Sequence, residues 1–358
     1  MSTTTIDRKR VEAFEHQLVD TLNHGALCLM LSVGHRTGLL DVLAESGPAD
    51  AATLAARAGL NERYVTEWLG AMTAGGIVEH DPDAGTYELP VEHAQLITCW
   101  ADENLAVFAQ YFAIFGAVED DILTCFREGG GLGYEHFPRF HEVMEEESAQ
   151  SVLPALRTKI LPLVPGLIGR LERGIRVIDV GCGRGRALNE LAGWFPNSTF
   201  AGYDLSEESV RYARDTAAAR GLDNVRFHAA DAARLGQIVE PDSAALAVTF
   251  DAVHDQVDPD AVVAGIRHAL ADDGVYLAQD VNASGSHHGD RDHPLGPFMY
   301  TASCLHCMTV SLAGGGAGYG AMWGRDRAQA LFRRAGFADV EVHTFDDAPT
   351  SVFYVCRP

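Results

Sequence analysis

The stretch Val177-Ile178-Asp179-Val180-Gly181-Cys182-Gly183-Arg184-Gly185 constrains this chain more than any other. An apolar run closes on a glycine-rich turn, and a helical pattern (Ala187, Leu188, Leu191, Ala192) follows at once. In that strand–turn–helix context the glycines have a mechanical meaning. They permit a tight turn and a close approach of backbone to ligand, and the next helix offers its unpaired N–H groups. A bare G-x-G-x-G occurs widely, so the surrounding pattern has to carry the reading.

From Gly174 onward, strand and helix patterns alternate. Strands are expected at 176–180, 199–203, 225–228, 245–250, 274–279, 340–344 and 351–356, with helices at 186–194, 207–220, 259–271 and 325–335. Alternation of this kind specifies an α/β fold, a doubly wound, mostly parallel Rossmann-like sheet covered on both faces. The last two strands are close enough to form a hairpin, so an antiparallel strand is expected at the sheet edge, the last strand of the chain. Acids fall at the carboxyl ends of the strands, where such sheets bind ligands. Asp204 ends the second strand and can accept both hydroxyls of a ribose; Asp231 ends the third and can accept an amino group of adenine.

These residues resemble a known family. Residues 176–280 look like a class I S-adenosylmethionine-dependent methyltransferase. The glycine turn matches the first motif of that family, Asp204 its ribose acid and Asp231 its adenine contact. The resemblance places the cofactor on Asp179, Gly181, Gly183, Asp204, Leu205, Asp231 and Ala232. The stretch Leu270-Ala271-Asp272-Asp273-Gly274-Val275 is similar to a late L-x-P-G-G loop of the family, with Asp-Asp-Gly in place of Pro-Gly-Gly. A nicotinamide dehydrogenase would instead carry G-x-G-x-x-G, and here Arg186 stands where its last glycine belongs.

Ahead of this domain the chain reads as mainly helical. Residues 8–43 form two helices, the second ending near Gly38. Two short helices, 51–58 and 62–75, then precede strands at 77–80 and 86–89 joined by Asp81-Pro82-Asp83-Ala84-Gly85. Two short helices and a hairpin make a winged helix-turn-helix pattern. A DNA reader is one reading, with 62–75 as its recognition helix; Glu62 and Glu67 suit phosphates poorly, and a dimerisation or lid role fits better. Residues 91–126 are helical and rich in large apolar side chains. The expected division is a winged-helix domain over 1–96, a helical linker and substrate cap over 97–173, and the cofactor domain over 174–358.

The fourth strand runs into Val253-His254-Asp255-Gln256-Val257-Asp258. This is similar to the V-L-H-D-W-x-D segment of small-molecule O-methyltransferases that carry an N-terminal winged-helix dimerisation domain. The resemblance implies that His254 is the base for a substrate hydroxyl and that the enzyme is a homodimer. Gln256 replaces the usual tryptophan. A second resemblance is to 2-oxo acid C-methyltransferases of the same layout, which hold an iron with two histidines; His254 and His306 are the matching positions. That implies an iron or another divalent or trivalent transition metal, an enolate stabilised by chelation, and Asp255 as base or as orienting group.

His306 lies in a helix expected at 297–312, inside a long segment after the fifth strand. That segment also carries His287, His288 and His293, read as solvated, and the run Gly314-Gly315-Gly316-Ala317-Gly318-Tyr319-Gly320, read as lying against substrate or forming a flexible lid.

Charge narrows the partners. The formal net charge is −23 at pH 7, which repels nucleic-acid backbones and favours small metabolites. A transcription regulator sensing the cofactor is the alternative of another class. The seven cysteines have no framework spacing and read as reduced thiols, Cys304 and Cys307 included. The stretch Met1–Arg8 runs into charge without the apolar centre of a signal peptide, and no apolar run approaches a membrane span. A cytoplasmic, membrane-free enzyme is expected.

Overall fold

The computed structural model describes residues 6–101 and 103–358. The beginning of the stretch read for a leader, 1–5, lies outside them. The chain divides into two compact units, one up to Gly116 and one from Ala117 to Pro358. The division falls inside the 97–173 stretch that the sequence suggested as a separate segment.

In the first unit, a single helix spans Arg8–Thr37 where two were expected to reach Leu43. Asp7 caps it, accepting from the Lys9 and Arg10 amides, and Gly38, at φ 70°, ends it. Nothing inside those residues breaks the helix; the break comes where a left-handed cap residue is available. Helices Leu39–Ser46, Ala51–Ala58 and Glu62–Ala74 follow, then strands β1 (Glu79–Asp81) and β2 (Thr86–Glu88). Asp50 and Asn61 cap the two short helices by accepting from Thr53 N and Arg63 N. Helix Glu62–Ala74 buries Val65, Trp68, Leu69 and Met72. The Trp68 indole donates to the Met30 carbonyl at 2.8 Å. Gly34 makes room for that ring, since a Cβ there would lie 2.6 Å from Trp68. The 91–126 stretch is not one helix but several short ones, including Val91–Ile97 and Glu119–Glu128.

The second unit holds a seven-stranded sheet: β3 (Arg176–Val180), β4 (Thr199–Asp204), β5 (Val225–Ala229), β6 (Ala244–Phe250), β7 (Leu270–Val281), β8 (Asp339–Phe345) and β9 (Ala348–Arg357), in the order β5-β4-β3-β6-β7-β9-β8. Strands β3 to β7 pair in parallel; β9 runs antiparallel to both β7 and β8. The last strand is antiparallel as expected, but it is not at the edge. Burial explains the placement: β9 carries the buried run Val352–Cys356, whereas β8 only alternates between half-buried and exposed positions. The strand with the larger apolar surface takes the interior.

Another difference lies at Leu270, which already pairs with Ala244, so Leu270–Val275 opens β7 rather than forming a loop before it. Alternate residues of the strands feed two cores. Val177, Leu246 and Leu277 pack with Leu188 and Leu191, while Ile178, Ala247 and Tyr276 pack with Val262 and Ile266.

Strand order reverses between β3 and β6. Their carboxyl ends therefore open a crevice at the switch point of the sheet, where ligands of such folds bind. β3 delivers the glycine turn to that crevice, and β6 delivers His254.

Candidate functional site

The glycine turn is held from below by β4: the amides of Gly181 and Cys182 both donate to the Tyr203 carbonyl, at 2.8 and 3.1 Å. Gly181 (φ 75°) and Gly185 (φ 68°) are required twice over. Their backbone is left-handed, and a Cβ would lie 2.5 Å from Ala252 and 2.4 Å from Phe227 respectively. Asp204 braces the same turn, accepting from Gly183 N at 2.8 Å on one oxygen and from Ser206 N at 2.9 Å on the other. A carboxylate has about four acceptor positions, so two remain for hydroxyls.

Asp179 is buried on β3 with one oxygen unpartnered. Burial, reinforced by the charge of Asp204, pushes its carboxyl up to about 8. Asp231 is an exposed cap that accepts from Ala233 N; Leu205 is exposed and Ala232 buried beside them.

A cavity of about 90 Å³ lies over the turn, walled by Asp179, Gly181, Arg184 and Phe250 and roofed by His141 and Glu145 of helix Phe140–Ser151. That is well below the roughly 300–1,000 Å³ of small-molecule sites, so the site is closed down in this structure. A larger, open groove of about 640 Å³ at Thr158–Leu163 and Thr344–Asp347 shares no residue with it.

At the end of β6 the chain turns sharply at Asp251, whose φ is 48°. His254 follows, buried, with Nδ1 2.8 Å from Asp280 Oδ1 at the end of β7. Burial disfavours the imidazolium, but the carboxylate of Asp280 and the thiol of Cys307 outweigh it and hold His254 well above its ordinary pKa. Asp251 completes a cluster: one ligand atom each from Asp251, His254 and Asp280 lies within 4.8 Å of the others. Burial and the charge of Asp280 raise the Asp251 carboxyl to about 7. Asp255 accepts from the Tyr134 hydroxyl at 2.6 Å, and burial raises its pKa.

Gln256 does not take over a tryptophan's packing role. Its side-chain amide donates to Ala252 O at 2.7 Å, and its main-chain carbonyl accepts from Ser311 Oγ at 2.8 Å. The glycine-rich run is a brace as well: Ala317 N donates to Val257 O and Gly320 N to His254 O, each at 3.1 Å. Of the two readings of this segment, against substrate or a flexible lid, the second does not hold at these two points, which are bonded to the His254 turn.

The helix expected at 297–312 is present as Gly296–Ala302 and Met308–Ala313, joined by a π-helical turn at Ser303–Cys307. Such turns concentrate at functional sites, and this one carries His306. That side chain is buried, with neither ring nitrogen hydrogen-bonded. Phe140 stacks on its face at 3.4 Å between centroids, and Phe137 and Tyr134 meet it edge-on. Burial, with the charges of His141 and His254, holds its pKa well below the usual value. His306 is not part of the Asp251–His254–Asp280 cluster. His287 and His288 are exposed.

Six residues brought together here were not singled out in the sequence. Asp251 and Asp280 are acids at strand ends and would have been found by the rule that singled out Asp204. Tyr134, Phe137, Phe140 and Glu145 carry no such signal, because they come from a segment far away in the chain, the turn Tyr134–His136 and the helix Phe140–Ser151.

The comparisons agree with this architecture. Residues 25–99 match the Rv2258c-like winged HTH domain, and residues 171–313 match a methyltransferase domain. No curated protein sequence matches. Among solved structures, mitomycin 7-O-methyltransferase superposes with a TM-score of 0.69 at 17% identity, covering 98% of this chain and 100% of that one. Human N-acetylserotonin methyltransferase, in complex with SAM, gives 0.68 at 17%, covering 100% and 99%. The S-adenosylmethionine-dependent methyltransferase SibL gives 0.61 at 22%, covering 96% and 99%. The chain is a methyltransferase by its domains: a methyltransferase domain stands behind an Rv2258c-like winged HTH domain. Among the described residues no single helix is long and apolar enough to cross a membrane.

Proposed function

We propose that the protein transfers a methyl group from S-adenosylmethionine to a hydroxyl of a small molecule, with His254 as base and Asp280 as the group that orients it. The observation that carries this is the 2.8 Å contact between His254 Nδ1 and Asp280 Oδ1. A base held by a carboxylate on one nitrogen presents the other to a substrate proton.

The cofactor fits the residues present: Asp204 has unused acceptor positions, the glycine turn has no Cβ to obstruct approach, and Asp179 has an orphaned buried oxygen. When bound, it supplies an activated methyl group. The chain does the rest. Asp204 holds the ribose hydroxyls, Asp179 and the turn amides hold the methionine end, and Leu205, Asp231 and Ala232 border the adenine. His254 takes the acceptor proton, and Asp280 stabilises the imidazolium that forms. The Cys307 thiol, which acts on the His254 ring, marks the side from which the acceptor hydroxyl would approach. Turnover of the His254→Ala variant tests the assignment.

A second reading has one specific observation in its favour. The two orphaned nitrogens of His306 suit a metal ligand, and the His254–Asp280 pair is the arrangement in which a carboxylate orients a ligating imidazole. His254 and His306 would then hold iron or a related transition metal, which polarises a 2-oxo acid for C-methylation, with Asp255 orienting the acid. Elemental analysis of protein purified without chelators separates the readings. The base reading expects no stoichiometric transition metal; a stoichiometric metal lost in both His254→Ala and His306→Ala supports the second.

The regulator reading has little support. The exposed face of helix Glu62–Ala74 presents Glu62 and Tyr64, and its Arg63 is paired with Glu67.

The homodimer is also a proposal. Helix Arg8–Thr37 leaves Val11, Phe14, Leu18, Leu22, Leu29 and Val33 exposed at spacings of three, four and seven, Leu22 at 74%. A continuous apolar stripe of this length marks an interaction surface, and a second copy of the helix offers its complement. The double substitution Leu18→Asp, Leu22→Asp is expected to give a monomer by light scattering where the wild type gives a dimer. A wild-type monomer would overturn the proposal.

A further inference from the structure

One segment closes both halves of the site. After Gly129 and Gly130, at φ 77° and 82°, the chain passes so close to helix Met308–Ala313 that a Cβ on Gly131 would lie 2.0 Å from Thr309 O. Leu132 N donates to the Thr309 hydroxyl at 2.9 Å. Beyond this anchor the strap runs through Tyr134, which binds Asp255, to Phe137 and Phe140, which cover His306. It ends as helix Phe140–Ser151 over the glycine turn.

There Glu145 is the fastening. Its carboxylate lies 3.4 Å from Arg184 and 3.1 Å from Arg186, and it accepts from the Tyr212 hydroxyl at 3.3 Å. The Glu145 and Arg184 side chains are 14% and 15% exposed. A pair this sheltered is specific in geometry, and losing one partner leaves the other charge uncompensated.

The residues under the fastening are incompletely satisfied. Arg184 Nε is a buried donor without a hydrogen-bond partner, and Asp179 Oδ1 is a buried acceptor without one. Both residues wall the same cavity. Native structures leave few such groups, and a ligand is a standard reason for one. An unused donor on a cation and an unused acceptor on an acid match a zwitterion, the α-carboxylate and α-ammonium of an amino acid.

We propose that Glu145 is an internal stand-in for the α-carboxylate of the cofactor on Arg184 and Arg186. Its displacement frees the strap from the glycine turn and thereby uncovers Asp255 and His306 for the acceptor. The inference rests on the cofactor reading above and deepens it. The order of binding follows from the connectivity. The strap cannot leave His306 while Glu145 is fastened, so the cofactor binds before the acceptor. Arg184 has a second counter-ion in Glu208 at 2.9 Å and stacks over Tyr212 at 4.4 Å. The arginine therefore stays in place when Glu145 departs.

The test uses S-adenosylhomocysteine, which carries the same amino-acid end, with two readouts: calorimetric affinity and hydrogen exchange of the amides in 134–151. In the wild type, the ligand is expected to accelerate exchange in the strap. In Glu145→Ala the strap is expected to exchange fast without ligand. Affinity should rise about tenfold in this variant, because the fraction of chains competent to bind no longer limits it. Glu145→Gln, which keeps the volume, should give the same direction, and a cooperative thermal transition in both variants confirms folding. Weaker binding in Glu145→Ala would show that Glu145 holds the ligand directly. Slower strap exchange with ligand would show that the strap closes on it. Either result overturns the proposal. Absence of binding to the wild type would instead sink the cofactor reading.

Discussion

His254→Ala is expected to lower kcat by about 10²–10⁴-fold, the usual contribution of a positioned general base, while S-adenosylhomocysteine affinity stays at the wild-type level. The split follows from the geometry. His254 sits at the end of β6 with Asp280 and Cys307, whereas the cofactor groups belong to β3 and β4. Asp280→Asn isolates the orienting role. A base must be unprotonated, and the His254 pKa is held well above its ordinary value, with Asp280 as the first of the groups that raise it against burial. The wild-type kcat is therefore expected to rise with pH through an alkaline limb. In Asp280→Asn the pKa falls, so the limb moves to lower pH, and the plateau falls because the ring is no longer held. Steady-state kinetics across pH would show both. An unchanged limb would mean that Asp280 does not set the charge of His254.

The same pair has a linked effect on stability. A histidine whose pKa is raised by folding contributes stability that is fully present below its unfolded pKa, about 6.5. That stability is lost as pH rises through the folded value. The wild type should accordingly lose part of its margin over Asp280→Asn on the alkaline side of neutrality.

The second large effect is expected from Asp204→Ala. This carboxylate accepts from Gly183 N and Ser206 N, which shapes the turn, and in the proposed role its remaining lone pairs would take the ribose hydroxyls. Two hydrogen bonds to a charged acceptor are worth about 1.5–3 kcal/mol each. Their loss corresponds to at least about a hundredfold weaker binding. Loosening the turn adds to this, because Gly183 N then has no acceptor. Asp231→Ala should cost far less, since Asp231 is an exposed cap on its own short turn.

How much of this was legible in the sequence depends on the range of the interactions concerned. The β3–turn–helix unit was readable because its signals are local: an apolar run, three left-handed glycines and an amphipathic helix within a few residues. Asp204 was readable because its strand end follows from the same alternation. The order β7-β9-β8 was not, since it depends on which of two adjacent strands buries more surface, a comparison that only the folded sheet makes.

The sequence singled out His254 and His306, but not their surroundings. The sequence could not say that His254 lies with two carboxylates, or that His306 is covered by the rings of Tyr134, Phe137 and Phe140. Those contacts join residues far apart in the chain and leave no periodic trace. Gln256 and the glycine-rich run 314–320 teach the converse. Gln256 stood out as a replaced tryptophan and the run as a turn against substrate or a lid, and both brace the His254 turn through hydrogen bonds to the backbone.

The central claim is that the turn at 181–185 and Asp204 form the seat of S-adenosylmethionine, and calorimetric titration with S-adenosylhomocysteine tests it most directly. The account predicts saturable binding at one site per chain in the wild type and at least about a hundredfold loss in Asp204→Ala. Binding of equal strength in the two proteins would contradict it.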